Sequence, residues 1–394
     1  MDNRLQELLC VGKLEEAAGV GTALYETNSS DIQLAVRTAL IYLRLGQSKK
    51  ALHILTSASD YAGEFAEMPK IAQIEITRKC NLSCAMCPRT RSLSRSLDSD
   101  DRGRLNDFWN REMTYDQYQY LIEDNPFFDS IIFHGIGEPL IHPNFIKMIQ
   151  LHRETSPVET SFFTNGVLLN ADLCQTLIDN KISLITFSID ARNPKLFTKI
   201  RAKGKLPNVI RNIQQLQIFK AEKQSVLPQI AFHITLRKEN YDQIFEIIDL
   251  AKTLQVAEIN ISAIEPSDEL IINYQHSPYE FIKDVEKWKD LAQINGQKLN
   301  FTGFELKYFG KQNHNVQKGF CLWLWMGVYI SVEGIVLPCC HLTDIRHYAL
   351  GNIHTESLSN IWNNTKYQSM RAGIIMGKPV FENCLKCPYY LTKT

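Results

Sequence analysis

With 394 residues, 44% of them hydrophobic and 22% charged, the chain is large enough for two or three domains with a sizeable core. Forty-three basic residues against forty-three acidic ones leave a formal net charge of zero, so neither nucleic acid nor an anionic membrane is an expected partner. The N-terminal MDNRLQELL lacks a basic stretch leading into an apolar core, and no apolar run reaches membrane-spanning length, so the expected location is cytoplasmic.

In chain order, the first seventy residues read as helices, and they repeat. LLCVGKLEEAA from Leu8 matches YLRLGQSKKAL from Tyr42, so Gly12 recurs at Gly46 and Ala17 at Ala51. The period of 34 is that of a tetratricopeptide helix–turn–helix unit, which residues 1–68 resemble. Fewer than three repeats cannot bury their own faces. The segment therefore leans on the next domain as a helical cap, or on a partner.

From Ile71 the pattern changes to short apolar runs at 71–77, 130–135, 159–166, 183–190, 229–236 and 257–263. Helical patterns at 114–123, 144–154, 171–180, 206–222 and 241–255 separate them. Six strands alternating with helices predict an α/β fold with a parallel sheet, open or curled into a partial (β/α)6 barrel, over residues 69–265. Ligands bind such sheets at the C-terminal strand ends. Residues 89–112 are rich in Ser, Arg and Asp and read as a solvated loop or mobile lid. A helix near 278–295 and a strand-like KLNFTGFEL fall in a linker, 266–320, ahead of a small cysteine-rich hairpin and helix domain at 321–394.

The ten cysteines carry the chemistry. In a reducing compartment, clustered cysteines point to metal rather than to disulfides. Cys10 and Cys174 sit within helical patterns and read as packing residues. Cys80-x3-Cys84-x2-Cys87 follows directly on the first strand. Three thiolates on one loop reach three corners of a 4Fe–4S cube, and Pro88-Arg89-Thr90 supplies no fourth ligand. Structural sites are normally closed by four ligands. A cube open at one iron can take the amino and carboxylate groups of S-adenosylmethionine, whose reduction breaks a carbon–sulfur bond and yields a 5′-deoxyadenosyl radical. Zinc with a distant fourth ligand is the alternative.

This spacing, in this place, resembles the radical S-adenosylmethionine superfamily, and the resemblance continues downstream. Gly135-Ile136-Gly137-Glu138-Pro139 is similar to the family's glycine–glutamate–proline motif, in which glycine admits the ligand and Glu138 or a neighbouring carbonyl holds the amino group. The resemblance also places Thr164-Asn165-Gly166 and Ser188-Ile189-Asp190 beside the cofactor. It gives the methionine carboxylate to Ser188 and Arg201, the latter through its planar fork, and adenine to backbone near Asn260 to Ser262. An exposed helix-end arginine is the other reading of Arg201. His134 and His142 flank the glycine motif and are read as structural residues with access to the cavity.

In the tail, VYISVEGIVLPCC predicts a hairpin turning at Glu333-Gly334. With Asp344 and Gly351-Asn352-Ile353 it resembles the SPASM/Twitch extensions of the same superfamily. The full SPASM form needs seven cysteines for two clusters, whereas this tail has five. The one-cluster Twitch form therefore fits better, with Cys321, Cys339, Cys384 and Cys387 as ligands of an auxiliary 4Fe–4S cluster. Four thiolates would close that cluster to substrate and leave it electron transfer or stabilisation; zinc uses the same four. Cys340 is left as a packed thiol or as a hydrogen-atom donor to a substrate radical.

The resemblance spans residues 71–394 and implies an enzyme that cleaves S-adenosylmethionine and abstracts a substrate hydrogen. A ribosomally made peptide, to be epimerised, oxidised or crosslinked, is the favoured substrate, because residues 1–68 offer a second surface for a leader or partner. A small-molecule dehydrogenase or epimerase of aminoglycoside-type sugars is the runner-up. A non-catalytic scaffold with two metal-stabilised modules is the third reading. Flavodoxin or ferredoxin would supply electrons.

Overall fold

The structure is a computed structural model that describes residues 4–5, 8, 13–28, 31–44, 50, 53–54, 68–95, 99–155, 158–263, 278–302, 319–387 and 390–392. Cys10, Gly12, Gly46 and Ala51 lie outside the described residues. The chain forms two compact units.

One unit comprises residues 72–310 and 329–335. Its strands are β1 (Ile71–Ile74), β2 (Ser130–Phe133), β3 (Glu159–Thr164), β4 (Leu184–Ser188), β5 (Gln229–Leu236), β6 (Glu258–Ala263) and β7 (Lys298–Thr302). They lie side by side in chain order, and each neighbouring pair from β2 to β7 runs parallel. The result is a parallel sheet of the partial-barrel kind, as the alternation of strands and helices predicts. The segment read as a linker extends it: β7 pairs with β6 in register Asn260↔Asn300, so the sheet has a seventh parallel strand.

Strand alternation gives the sheet two unlike faces. Phe133, Phe162, Ile185, Phe187, Ile230, Phe232 and Ile259 are buried on one. The alternate positions carry half-buried polar and aromatic groups, including Phe163, Ser188, His233, Asn260 and Asn300. Ser188, His233, Asn260 and Asn300 form one register row across four strands.

Helices between strands start where local side chains satisfy exposed amides. Thr114 and Gln117 form a capping box for Tyr115–Asp124, and Asn170 caps Ala171–Asp179. Asn193 caps a short helix, Pro194–Ile200, that the periodicity did not predict. The expectation of a solvated loop at 89–112 is corrected: this segment forms the helices Pro88–Arg95 and Ser99–Trp109. The reason is a narrow apolar stripe at Leu105, Phe108 and Trp109, helically spaced within a very polar stretch. Trp109 is buried, and the Arg78 guanidinium lies 4.1 Å from the centre of the Phe108 ring.

The other unit comprises residues 1–71, 311–328 and 336–394. Helices Leu14–Thr27 and Ile32–Arg44 pair closely, since a Cβ on Gly21 would sit 2.6 Å from Thr38 Oγ1. Within this unit the second of these helices packs against the short helix Trp323–Met326 of the cysteine-rich tail. The tail opens with β8 (Gly319–Cys321). Next in the chain is the hairpin of β9 (Gly327–Ile330) and β10 (Ile335–Leu337), whose residues 329–335 belong to the first unit, with Gly334 at φ +72° in its turn, a left-handed conformation that favours glycine. Beyond β11 (Gly351–Asn352), helices Leu358–Trp362 and Thr365–Ile375 are capped by Ser357 and Asn364. Strand β12 (Tyr390–Thr392) pairs antiparallel with β8, Tyr390 opposite Cys321. Arg371 anchors this tail from a fully buried position. It donates to Leu324 O (2.9 Å), Trp362 O (2.8 Å) and Asn363 Oδ1 (3.0 Å) and stacks on Trp362 and Tyr367. Burial lowers its pKa to about 10. Among the described residues, no helix is long and apolar enough to cross a membrane.

Candidate functional site

Just past β1, the backbone enters the loop that carries Cys80, Cys84 and Cys87. Four contacts pin that loop. Glu138 N–H donates to Lys79 O (2.9 Å), Ser83 N–H to Ala202 O (3.2 Å), and Ala85 N–H to Ile200 O (3.0 Å). The Asn165 side-chain amide donates to Asn81 Oδ1 (2.8 Å). The three thiols are half-buried and interact electrostatically; burial pushes the Cys80 thiol up to about 11. Cys84 is also raised by burial, against the opposing pull of Arg201, whose Nη1 lies 4.0 Å from the Cys84 sulfur.

The glycine motif is built by close backbone packing. A Cβ on Gly137 would lie 2.2 Å from Thr77 O and 2.7 Å from Lys79 O, and one on Gly135 would lie 2.5 Å from Glu75 Cγ. Only glycine fits this approach. Glu138, expected to face a bound amino group, is 2% exposed, and the chain's own donors occupy it. Thr164 Oγ1 donates to Oε1 (2.8 Å), Asn165 N–H to Oε2 (2.7 Å) and Leu140 N–H to Oε1 (3.3 Å). Burial nevertheless raises its pKa to about 7, since desolvation outweighs these bonds. Glu138 thus clamps the turn after β3, where Gly166 at φ +73° follows Thr164 and Asn165.

Asp190 is fully buried, accepting from Arg201 Nε at 2.7 Å and from Thr235 N–H at 2.8 Å. Arg201 is 8% exposed, so the reading of an exposed helix-end arginine does not hold. Its Nε serves Asp190, and its Nη1 is turned toward Cys84. Ser188 stands on the polar face, in register with His233. Asn260 and Ser262 lie on the same face: Asn260 bonds Glu258 (3.0 Å), and Ser262 bonds the His233 ring. His134 bonds Gln73 at 2.8 Å and stacks on Phe163 at 4.1 Å between ring centres. His142 is structural, bonded to Met113 O and to Asn144 N–H.

A buried ion-pair cluster supports the whole loop. Arg78 Nε donates to Glu75 Oε2 (3.0 Å), and its two Nη atoms grip Glu333 at 2.6 and 2.8 Å. Glu75 Oε1 in turn accepts Ile136 N–H (3.1 Å), which ties the cluster to the glycine motif. Sequence reasoning missed Asn81, Glu75, Arg78, Glu333 and His233. Glu75 and Arg78 carried a weak signal as charges inside an apolar strand pattern; Glu333 carried none.

In the tail, Cys321, Cys339, Cys384 and Cys387 line one cavity, and Cys340 is not in its lining. Backbone N–H groups of Trp323 and Leu324 point to the Cys321 sulfur, and that of His341 points to Cys339. Burial raises the Cys321 thiol to about 12 and Cys384 to about 11. Among the described residues, no disulfide forms. Both donor sets, three thiols on a loop and four around a cavity met by backbone amides, fit iron–sulfur clusters in chemical type.

Residues 74–264 match the radical SAM superfamily, and residues 321–388 match the SPASM iron–sulfur cluster-binding domain. A cofactor-modifying protein of the tungsten-containing aldehyde ferredoxin oxidoreductase of Pyrococcus furiosus is 25% identical over 81% of this chain and 87% of its own. An AdoMet-dependent heme synthase of Methanosarcina barkeri is 22% identical over 76% of this chain and 83% of its own. The fold is that of Streptococcus suis SuiB, solved with its precursor peptide SuiA, at TM-score 0.60 and 15% identity over 89% of this chain and 75% of that one.

Proposed function

We propose, for a chain that belongs to the radical SAM superfamily and carries a SPASM iron–sulfur domain, that it cleaves S-adenosylmethionine reductively and removes a hydrogen atom from a peptide substrate. The observation that carries the reading is the pinned loop of Cys80, Cys84 and Cys87 beside the turn clamped by Glu138, both at the C-terminal edge of a parallel sheet. When bound to the three thiolates, a 4Fe–4S cluster supplies the electron that opens the sulfonium carbon–sulfur bond.

The protein's own groups do the rest by placement. Gly135 and Gly137 keep the backbone close to the cysteine loop. Asp190 fixes Arg201 by its Nε and Nη1 is turned toward Cys84, so Nη2 is the donor left for an anionic group such as the methionine carboxylate, with Ser188 as a second donor. Glu138 acts through Thr164 and Asn165, holding the turn on which the cofactor would rest. The half-buried row Ser188, His233, Asn260 and Asn300 offers hydrogen-bonding groups where a substrate would enter. In the tail, Cys321, Cys339, Cys384 and Cys387 would hold the auxiliary cluster, closed to substrate and suited to electron transfer or stabilisation. Cys340, outside that cavity lining, is the candidate hydrogen-atom donor. A flavodoxin- or ferredoxin-type reductant completes the set of partners.

A peptide substrate is supported by the shared fold with SuiB and by the helices of residues 1–68 as a second surface. A small-molecule substrate is supported by the heme synthase, which is similar over most of both chains. The test is anaerobic reconstitution, reduction and S-adenosylmethionine, with 5′-deoxyadenosine as the readout. Formation is expected from the unmutated chain and none from Cys84→Ala; none from either would sink the proposal. Precursor peptides incubated with the enzyme and weighed by mass spectrometry separate the two substrate classes. An altered peptide mass favours the first reading, and turnover of a small alcohol or tetrapyrrole with peptides untouched favours the second.

A further inference from the structure

We propose that Trp323 and Tyr367 hold an indole N–H and a phenolic O–H for the sulfur atoms of the auxiliary cluster, and that these donors raise its reduction potential. The inference rests on the reading of the tail as an iron–sulfur site and adds to it two residues that ligate nothing.

Trp323 lines the cavity shared by the four thiols. Its Nε1 is sealed from solvent and has no hydrogen-bond partner among the described residues. Its ring is fitted against bare backbone: a Cβ on Gly327 would lie 2.6 Å from the indole, so any other residue there would displace it. Tyr367 is fully buried on the face of helix Thr365–Ile375 that sends Met370 and Ile374 into the cavity lining. Its hydroxyl is also buried without a hydrogen-bond partner among the described residues, and it interacts electrostatically with Cys339. The Arg371 guanidinium, 5.0 Å from its ring centre, helps to hold it in place.

A buried donor without an acceptor is costly, and natural folds rarely keep one. Trp323 lines the thiol cavity and Tyr367 interacts with Cys339 of its wall, so a group that fills the cavity is placed to bring acceptors to both. Cluster sulfurs are such acceptors. Their negative charge grows on reduction, so an N–H or O–H directed at them favours the reduced state and raises the potential. The two side chains thereby extend the backbone amides of Trp323, Leu324 and His341, which already point to Cys321 and Cys339.

The test uses the full chain, reconstituted anaerobically with iron and sulfide and titrated by EPR at controlled potential. The signal that persists in a Cys80→Ala variant is that of the auxiliary cluster. Tyr367→Phe and Trp323→Phe are each expected to lower its reduced-to-oxidised ratio at a fixed potential by up to about tenfold, which is about 59 mV for a one-electron couple. Iron and sulfide content should stay unchanged. An unshifted potential in both variants at full iron content overturns the inference while leaving the cluster reading intact. Absence of iron and sulfide from the tail of the unmutated chain overturns the reading and the inference together. Should either variant lose its cluster, the unmutated protein labelled with 15N-indole tryptophan keeps the question open to measurement. A 15N coupling to the auxiliary cluster by ENDOR supports the Trp323 contact, and its absence overturns it.

Discussion

Gly137 shows how little room the cysteine loop leaves. The carbonyls of Thr77 and Lys79 that would meet a Cβ there belong to backbone, which cannot rotate aside as a flexible side chain would. Gly137→Ala is therefore expected to shift the loop and cut 5′-deoxyadenosine formation at least about tenfold, a loss of about 1.4 kcal/mol in transition-state stabilisation. Iron in the tail should be retained. Full turnover with unchanged iron would show that the close approach is dispensable. The glycine and its motif were legible in the sequence. That the carboxylate of Glu138 is spent on Thr164, Asn165 and Leu140 was not, because spacing shows which residues are near a ligand and not which donors reach them first.

Among the elements, helix Phe145–Thr155 depends on one histidine. His152 is 0% exposed and bonds the Tyr118 hydroxyl at 2.8 Å and the Thr160 hydroxyl at 2.6 Å, linking two helices to β3. Burial lowers its pKa from 6.5 to about 4. The ring is thus neutral in the fold but takes a proton in the unfolded chain below about pH 6.5. The unfolded state then binds more protons, so stability is complete above that pH and falls as pH drops toward 4, by up to about 1.4 kcal/mol per pH unit. Urea unfolding at pH 7.5 and pH 5 should show a lower midpoint at pH 5, and His152→Gln should flatten that difference. An equal slope in both proteins would mean that other groups carry the acid sensitivity. The strands and most helices around this site follow directly from apolar periodicity. The helices at 88–109 did not, because three apolar side chains among many charged ones, with only Trp109 fully buried, give too thin a stripe to outweigh composition.

At the scale of the molecule, iron should divide between two sites. Cys84→Ala and Cys384→Ala are each expected to lose about half of the iron, with 5′-deoxyadenosine formation abolished only in the first. Removal of residues 1–68 is a third probe. Helix Ile32–Arg44 packs on Trp323–Met326, two residues past Cys321, so the shortened chain should lose auxiliary iron before it loses the first cluster. Retention of both clusters would reduce the N-terminal helices to a separable module.

The sequence by itself pointed to the chemistry, through three thiols within eight residues and, by resemblance to a known family, through the glycine motif after the second strand and the cysteines of the tail. The first two are short-range facts, set by how far one loop can reach, whereas the tail cysteines, spread from Cys321 to Cys387, meet at one cavity only through the fold. The tertiary structure decided what is supplied from far away. Glu333 meets Arg78 across 255 positions, Asn165 meets Asn81 across 84, and the N-terminal helices find the tail. Such contacts depend on how the sheet closes and which charges it buries together, and no periodicity along the chain encodes that pairing.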